Sequence, residues 1–277
     1  MVIQPRRIVF PIFVANRRNS LELVRFTGTA FLVAPRLFVT CWHCVSEPLP
    51  EEHGYLGLLQ GQADKGQPDY VEWLEDISQD KNGSDLATGT VRAEAATQLQ
   101  MASYDAAQGA DVTSFGYPLS GLKDHAGERM ASVESRLFKG HIMRTFNFSN
   151  PPHPAALTYE LSFPAPRGLS GAPVIELAAS RIVGVVFGNN DVGMIEHFAE
   201  VDAQGNRSPE VQRIVSFGLA HSAQTTSQIG WHCDSQQATL RDPAALTRDA
   251  EATHDDHGTK ANIYRVPAFS CWWASRR

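Results

Sequence analysis

Three features of the sequence predict an all-β fold. Short apolar runs, rather than long segments with helical periodicity, follow one another along most of the 277 residues. The 16 prolines and 21 glycines are scattered between those runs as turn residues. Two of the runs, between residues 28 and 45, are joined by a Pro-Arg turn, which is typical of a β-hairpin. With 43% hydrophobic residues, the chain can bury the core of one large domain or of two small ones.

The candidate strands can be placed in order along the first 222 residues. They cover residues 8–15, 21–26, the hairpin 28–45, and then 55–60, 70–77, 85–91, 110–118, 132–144, 157–163, 173–176, 181–187 and 214–220. Residues 94–107 have no clear pattern, and residues 123–128 are interpreted as a polar loop. From about residue 233 the composition shifts to Gln, Asp, Thr and Ala, which predicts a solvated extension that ends in aromatic residues able to dock on the core.

Charge and composition exclude several classes of partner. The net charge is −6 and no dense cluster of Lys or Arg occurs, which argues against a nucleic-acid partner. No apolar run reaches transmembrane length, and the first one is short and broken by Pro11, so we interpret it as a strand rather than a signal peptide. The four cysteines form no evident disulfide framework. We therefore expect a soluble, cytoplasmic, thiol-reduced protein without a cofactor.

Ser170 lies in a turn rich in small residues, Gly168-Leu169-Ser170-Gly171. Glycine lets the backbone turn tightly and lets a substrate carbonyl approach the main chain. In such a turn the amides of Gly168 and Ser170 can point at one spot and stabilise an oxyanion. A turn that merely joins two strands is an equally good interpretation of this stretch alone.

Two upstream residues could activate a serine. His43 follows the second strand of the hairpin, where a strand end can fix a base and leave one edge open. Asp85 stands at the start of an apolar strand, where a half-buried carboxylate can orient an imidazole. Each also has a plain structural interpretation, as a half-buried histidine and a turn aspartate. Asp76 and Asp80 are competing carboxylates, less well placed because neither directly precedes an apolar strand.

Taken together, these blocks resemble the trypsin/chymotrypsin superfamily of serine peptidases, in the style of its short, disulfide-free bacterial members. The similar blocks are Gly28-Thr29-Ala30-Phe31-Leu32-Val33, Thr40-Cys41-Trp42-His43-Cys44, Asp85-Leu86-Ala87 and Gly168-Leu169-Ser170-Gly171-Ala172-Pro173. The resemblance spans roughly residues 8–222. It implies two perpendicular six-stranded β-barrels with the active site in the cleft between them: residues 1–112 and 113–232, followed by the extension 233–277.

The resemblance also implies an activity and its residues. His43, Asp85 and Ser170 would form the triad of a serine endopeptidase that works through an acyl-enzyme, with Gly168 and Ser170 as the oxyanion hole. Protein or peptide substrates would bind against Pro164 and the wall formed by Val186, Phe187 and Gly188, a neutral pocket suited to an uncharged side chain.

Two departures from the family pattern bear on how the site is held. Leu169 replaces the aspartate that orders the oxyanion loop in many secreted relatives by pairing with a newly cut N-terminus. The loop must then be held by other contacts, or be ordered by substrate or by a protein partner. Cys44 has no cysteine near Phe31 to pair with, and Cys41 is too close in sequence to replace that bridge without a strained loop, so we expect free thiols.

Three alternatives remain open. Cys41, Cys44, His232 and Cys233 could bind zinc, as could the cluster 254–257, although that cluster is more simply a solvated charged run. The fold could be a catalytically silent binding module, with Leu169 marking a collapsed oxyanion loop. It could also be an enzyme switched on by a partner that grips the aromatic tail.

Overall fold

The computed structural model describes residues 8–17, 22–59, 70–93, 100–125, 128–149, 151–197 and 211–224. Fifteen strands and one 3₁₀ turn are the regular elements of these residues. They belong to one compact unit, residues 1–229, and a second unit, residues 230–277, lies outside the described residues. Within the described ranges, no helix has the length and hydrophobicity that a membrane span requires.

Seven strands from the N-terminal part form one antiparallel sheet. They are β1 Val9–Asn16, β2 Leu23–Ala34, β3 Leu37–Thr40, β4 His53–Leu59, β5 Tyr70–Trp73, β6 Glu75–Gln79 and β7 Ala87–Thr90, in the order β5-β4-β1-β2-β3-β7-β6. The predicted hairpin is present, because β2 and β3 pair directly across the turn at residues 35–36. β1 is buried along nearly its whole length, which agrees with its continuous apolar run.

Six later strands close into an antiparallel barrel. They are β8 Asp111–Gly116, β11 Arg136–Phe148, β12 Ala156–Leu161, β13 Pro173–Glu176, β14 Arg181–His197 and β15 Val211–Ser222, in the order β11-β12-β15-β14-β13-β8. The barrel interior is filled by apolar residues, among them Ile142, Leu161, Val174 and Val183. The remaining strands, β9 Gly121–His125 and β10 Glu128–Ser132, form a separate hairpin.

The all-β prediction is confirmed, with differences in detail. The first sheet has seven strands in an open order, where the family resemblance implies six in a barrel. Residues 123–128 were expected to form a loop, but the β9–β10 hairpin occupies this region. β14 continues ten residues past the predicted end at residue 187, because it pairs with β15 as far as His197. The boundaries at residues 112 and 232 stay predictions.

Candidate active site

Pairing between β3 and β7 brings His43 and Asp85 together. Thr40, the last residue of β3, is the register partner of Ala87, the first residue of β7. His43 lies after β3 in the 3₁₀ turn Trp42–Cys44, and Asp85 lies two residues before Ala87, where β7 begins. The backbone amide of Trp42 donates to the Asp85 carbonyl oxygen at 3.3 Å, which continues the pairing beyond the strands. Two residues far apart in sequence are thus fixed side by side by a strand register.

Two hydrogen bonds join the His43 and Asp85 residues. The His43 backbone amide donates to Asp85 Oδ1 at 2.9 Å, and His43 Nδ1 lies 2.6 Å from Asp85 Oδ2. A carboxylate can only accept, so Nδ1 carries the proton in this bond. In the neutral imidazole, Nε2 is then an acceptor. The His43 side chain is 44% exposed, whereas Asp85 is buried.

The two groups shift each other's pKa in the direction that favours an ion pair. Burial alone would raise the pKa of Asp85, but its hydrogen bonds with His43 lower it overall. Burial alone would lower the pKa of His43, but the bond to Asp85 and the neighbouring Cys44 raise it overall. The carboxylate is therefore charged at neutral pH and stabilises an imidazolium beside it.

Ser170 lies in a tight turn that requires glycine on both sides. The amide of Leu169 donates to the Pro166 carbonyl at 2.9 Å, and Gly168 in that turn has φ +95°. Gly171 has φ +85°, and a Cβ there would overlap the Thr29 carbonyl oxygen. Ser170 Oγ donates to the carbonyl oxygen of Phe187 at 3.3 Å.

Thr29, on β2 of the first sheet, binds the serine turn on both sides. Its hydroxyl donates to the Gly168 carbonyl at 2.8 Å and its backbone amide donates to the Ser170 carbonyl at 2.8 Å. The same hydroxyl accepts a hydrogen bond from the Tyr117 amide at 3.2 Å. Leu169 is fully buried in the barrel core. Hydrogen bonds from the first sheet and apolar packing in the barrel therefore hold this turn.

The backbone amides of the turn are of two kinds, paired and unpaired. In the described part of the chain, neither Gly168 N–H nor Ser170 N–H has a hydrogen-bond acceptor, whereas the amides of Leu169 and Gly171 are both paired. The Arg167 carbonyl accepts from the Leu119 amide at 3.1 Å. Because the C=O and N–H of a trans peptide point in opposite directions, this bond turns Gly168 N–H away from Leu119.

The four residues predicted to line the substrate pocket have different environments. Val186 is fully buried in the barrel core, and Pro164 is exposed. The Phe187 ring stacks on His221, with ring centroids 4.2 Å apart, and its carbonyl contacts Ser170. Gly188 has open space where a Cβ would be. Of the four, Phe187 and Gly188 are the two that are half-buried.

Two further histidines lie close to Asp85. The sequence did not predict either of them as a residue of the site. Asp85, Phe148, His153, Pro154, Phe187 and His221 surround a cavity of about 10 Å³. His153 Nε2 lies 3.9 Å from Asp85 Oδ1, and His153 Nδ1 is 2.9 Å from the Gly83 carbonyl oxygen. His221 is 5% exposed, and neither of its ring nitrogens has a hydrogen-bond partner among the described residues.

Burial lowers the pKa of His221 to about 4, so this side chain is neutral at physiological pH. Like His43, His221 lies at the end of a strand, in this case β15. No motif surrounds it, and its approach to Asp85 depends on the pairing of distant strands. The sequence alone could not have distinguished it from other histidines.

One group of side chains could hold a metal ion. The ligand atoms of Cys41, His43 and Asp85 lie within 4.8 Å of one another. A metal bound through His43 Nδ1 would have to replace the hydrogen bond between that atom and Asp85 Oδ2. The other ligands of the zinc alternative, His232 and Cys233, and the cluster 254–257 lie outside the described residues. Cys41 and Cys44 are free, buried thiols.

The region with this geometry coincides with a match to a known family. The family described as trypsin-like peptidase domain matches residues 28–185, more than half of the chain, and the match contains His43, Asp85 and Ser170. The chain belongs to this family. The comparison of this chain with curated proteins found no match.

Solved structures of proteases share the fold. The inactive form of Rv3671c from M. tuberculosis is 20% identical, with a TM-score of 0.52, over 86% of this chain and 90% of that one. The MamO protease domain from Magnetospirillum magneticum is 15% identical, with a TM-score of 0.50, over 80% of this chain and 95% of that one. These likenesses confirm the chymotrypsin-like fold.

Proposed function

We propose that this trypsin-like peptidase domain is a serine endopeptidase that uses His43, Asp85 and Ser170. The observation that carries the proposal is the hydrogen-bonded His43–Asp85 pair, held by the same sheet that binds the Ser170 turn through Thr29. Membership of the family supports a peptidase with protein or peptide substrates. No cofactor enters the proposed reaction, and we also propose that the protein works in the cytoplasm.

In the proposed reaction, Ser170 Oγ attacks a peptide carbonyl carbon while His43 Nε2 takes its proton. Asp85 keeps the proton of His43 on Nδ1 and stabilises the imidazolium that forms. The imidazolium then protonates the leaving amine, the peptide C–N bond breaks, and an acyl-enzyme remains. Water, deprotonated by the same imidazole, hydrolyses the ester and regenerates Ser170.

One movement must precede the attack. Ser170 Oγ donates to the Phe187 carbonyl, and the described residues show no hydrogen bond between Ser170 and His43. A rotation about the Ser170 Cα–Cβ bond would redirect the hydroxyl. Hydrogen bonds of this kind are often absent without substrate and form in the Michaelis complex.

The free amides of Gly168 and Ser170 are proposed as the oxyanion hole. The support is that both lack an acceptor and that the Leu119–Arg167 hydrogen bond fixes the orientation of the Gly168 amide. Donors fixed in advance in this way cost no reorganisation when charge develops on the substrate oxygen.

We propose a preference for uncharged side chains at the residue before the scissile bond. Of the predicted pocket residues, Phe187 and Gly188 support it best, since neither brings a charge and Gly188 leaves open space. Pro164 and Val186 remain weaker candidates because one is exposed and the other packs inside the barrel. Cleavage of a peptide library chiefly after Lys or Arg would contradict this preference.

A second candidate function is a silent or partner-activated fold that binds proteins. The observation that favours it is that the Ser170 hydroxyl is engaged by Phe187 rather than by His43. A partner that shifts this turn could redirect the hydroxyl. The tail that the sequence suggests for such a partner lies outside the described residues.

Labelling with a fluorophosphonate probe tests the proposed function. The wild-type protein should be labelled, Ser170→Ala should not be, and Ser103→Ala, which removes an exposed serine elsewhere, should be labelled like the wild type. Absence of labelling in folded wild-type protein would contradict constitutive activity. Labelling that then appears on adding cell extract would favour the partner-activated alternative.

A further inference from the structure

The histidine of the proposed triad is bracketed by two cysteines that the proposed reaction does not use. Cys41 caps the 3₁₀ turn with extended backbone (φ −80°, ψ 145°), and Cys44 is its last residue. The Cys44 amide donates to the Cys41 carbonyl at 3.1 Å and closes the turn. Four-residue turns of this kind keep their end Cα atoms within about 7 Å, and a disulfide needs about 4.4–6.8 Å. The backbone therefore places both thiols within bridging reach.

Each sulfur atom contacts a backbone carbonyl oxygen at or beside the Ser170 turn. Cys41 Sγ donates to the Val186 carbonyl at 3.1 Å, and that carbonyl also accepts from the Gly171 amide at 2.7 Å. Cys44 Sγ lies 3.7 Å from the Ser170 carbonyl oxygen. The thiol pair thus fills the space between the turn that carries His43 and the turn that carries Ser170.

A second thiol beside an oxidised cysteine is the group that resolves it into a disulfide. Both thiols of this pair are free, and both are buried, with 0% of Cys41 and 1% of Cys44 exposed. Cys44 follows His43 in the chain, and the His43 side chain is 44% exposed, so the solvent-facing side of the turn lies next to Cys44.

We propose that Cys41 and Cys44 form a redox modification site, at which a peroxide converts the two thiols into a disulfide that reversibly disables the neighbouring catalytic centre. This inference rests on the proposed function. Cys44 loses its proton, its thiolate attacks the peroxide O–O bond and becomes a sulfenic acid, and the hydroxide that leaves takes up that proton as water. Cys41 sulfur then attacks the Cys44 sulfur and water leaves, so that two thiols and one hydrogen peroxide give one disulfide and two waters.

The bridge would disturb the site from two sides. To reach each other, the sulfurs must leave the carbonyl oxygens of Val186 and Ser170, which they now contact. Only Trp42 and His43 separate the cysteines, so the turn that positions the imidazole must adjust to the new bond. A thiol reductant should reduce this disulfide by thiol–disulfide exchange and restore the original turn.

The test compares reduced and peroxide-treated full-length protein by two readouts. Peptide mass spectrometry should find a Cys41–Cys44 disulfide after treatment, and fluorophosphonate labelling should fall about a hundredfold, as expected for a displaced catalytic group. Dithiothreitol should restore both. The double variant Cys233→Ser/Cys271→Ser should behave like the wild type, because the proposed site keeps both of its thiols.

Cys41→Ser is the decisive variant, since a serine hydroxyl can keep the hydrogen bond to Val186 but cannot form the bridge. It should label in the reduced state and resist reversible inactivation by peroxide. Absence of the disulfide in treated, folded protein would overturn the proposal, and a disulfide without loss of labelling would overturn its regulatory part. If the reduced protein does not label at all, the proposed function fails, whereas the disulfide remains measurable by mass spectrometry.

Discussion

Asp85 shows how a single carboxylate can set both the geometry and the charge of a neighbouring ring. It accepts two hydrogen bonds from His43, one from the backbone and one from the ring, so the imidazole can neither rotate nor change tautomer freely. The same contacts raise the pKa of His43. A base with a raised pKa is neutral only at higher pH, so we expect the acid limb of the labelling rate to lie above about 6.5, the usual value for histidine.

Replacing Asp85 by Asn tests this role. The amide cannot stabilise the imidazolium and can favour the wrong tautomer, so the labelling rate should fall by several orders of magnitude. The acid limb of the residual rate should move to lower pH, since the charge that raises the pKa of His43 is gone. The control is Asp76→Asn, an exposed carboxylate that the sequence also offered as a candidate. A pH profile unchanged by Asp85→Asn would contradict the assignment.

Thr29 is the residue through which the first sheet holds the nucleophile. Thr29→Val keeps the shape but leaves the Gly168 carbonyl and the Tyr117 amide without their partner, at a cost of about 1–3 kcal/mol in the free energy of unfolding. Labelling should fall as well, because the turn that presents Ser170 loses a support. Thr29→Ser restores the hydroxyl and should recover most of both quantities. If Thr29→Val and Thr29→Ser lose equal stability and labelling, the packing of the Thr29 methyl group, and not its hydroxyl, holds the turn.

At the scale of elements, apolar packing of Leu169 joins the serine turn to the barrel. Leu169 is fully buried, and a Cβ at Gly116 would come within 2.8 Å of its side chain, so the fit around it is close. The leucine therefore need not mark a collapsed loop. Its burial in the barrel core holds the turn by apolar packing.

Leu169→Asp should be strongly destabilising for this reason. An unpaired carboxylate in the barrel core would lower the free energy of unfolding by about 3 kcal/mol or more. Leu169→Met, which conserves volume, should cost less than about 1.5 kcal/mol. Urea unfolding at pH 7 measures both. If Leu169→Asp retains wild-type stability, the turn must be held differently from what its burial indicates.

The sequence predicted the elements that are determined by residues close together in the chain. The alternation and turn residues around the β2–β3 hairpin, and the glycines around Ser170, are visible in the sequence because a turn constrains its own residues. The β9–β10 hairpin and the extension of β14 to His197 were missed, since both depend on pairing partners. His153 was missed for the same reason: it comes near Asp85 only through tertiary contacts.

At the scale of the whole molecule, the titration of the buried His221 makes the stability of the fold depend on pH. His221 lies at the end of β15 in the barrel, and its neighbours are Asp85, His153, His43 and Asp80. Its pKa is about 4 in the folded protein and about 6.5 when unfolded. Between these values only the unfolded chain binds the proton. Stability from this group is therefore complete above pH 6.5 and is lost as the pH falls toward 4.

Urea unfolding at pH 7 and pH 5 tests this linkage. The wild-type free energy of unfolding should drop by about 2 kcal/mol between the two, since each pH unit in the window contributes about 1.4 kcal/mol. His221→Phe, which keeps the stack on Phe187, should show a much smaller drop, while the exposed His141→Gln should follow the wild type. The raised pKa of His43 acts above this window and the lowered pKa of Asp85 acts below it, so neither can mimic the effect. An equal drop in His221→Phe would therefore place the acid sensitivity of the fold in another group.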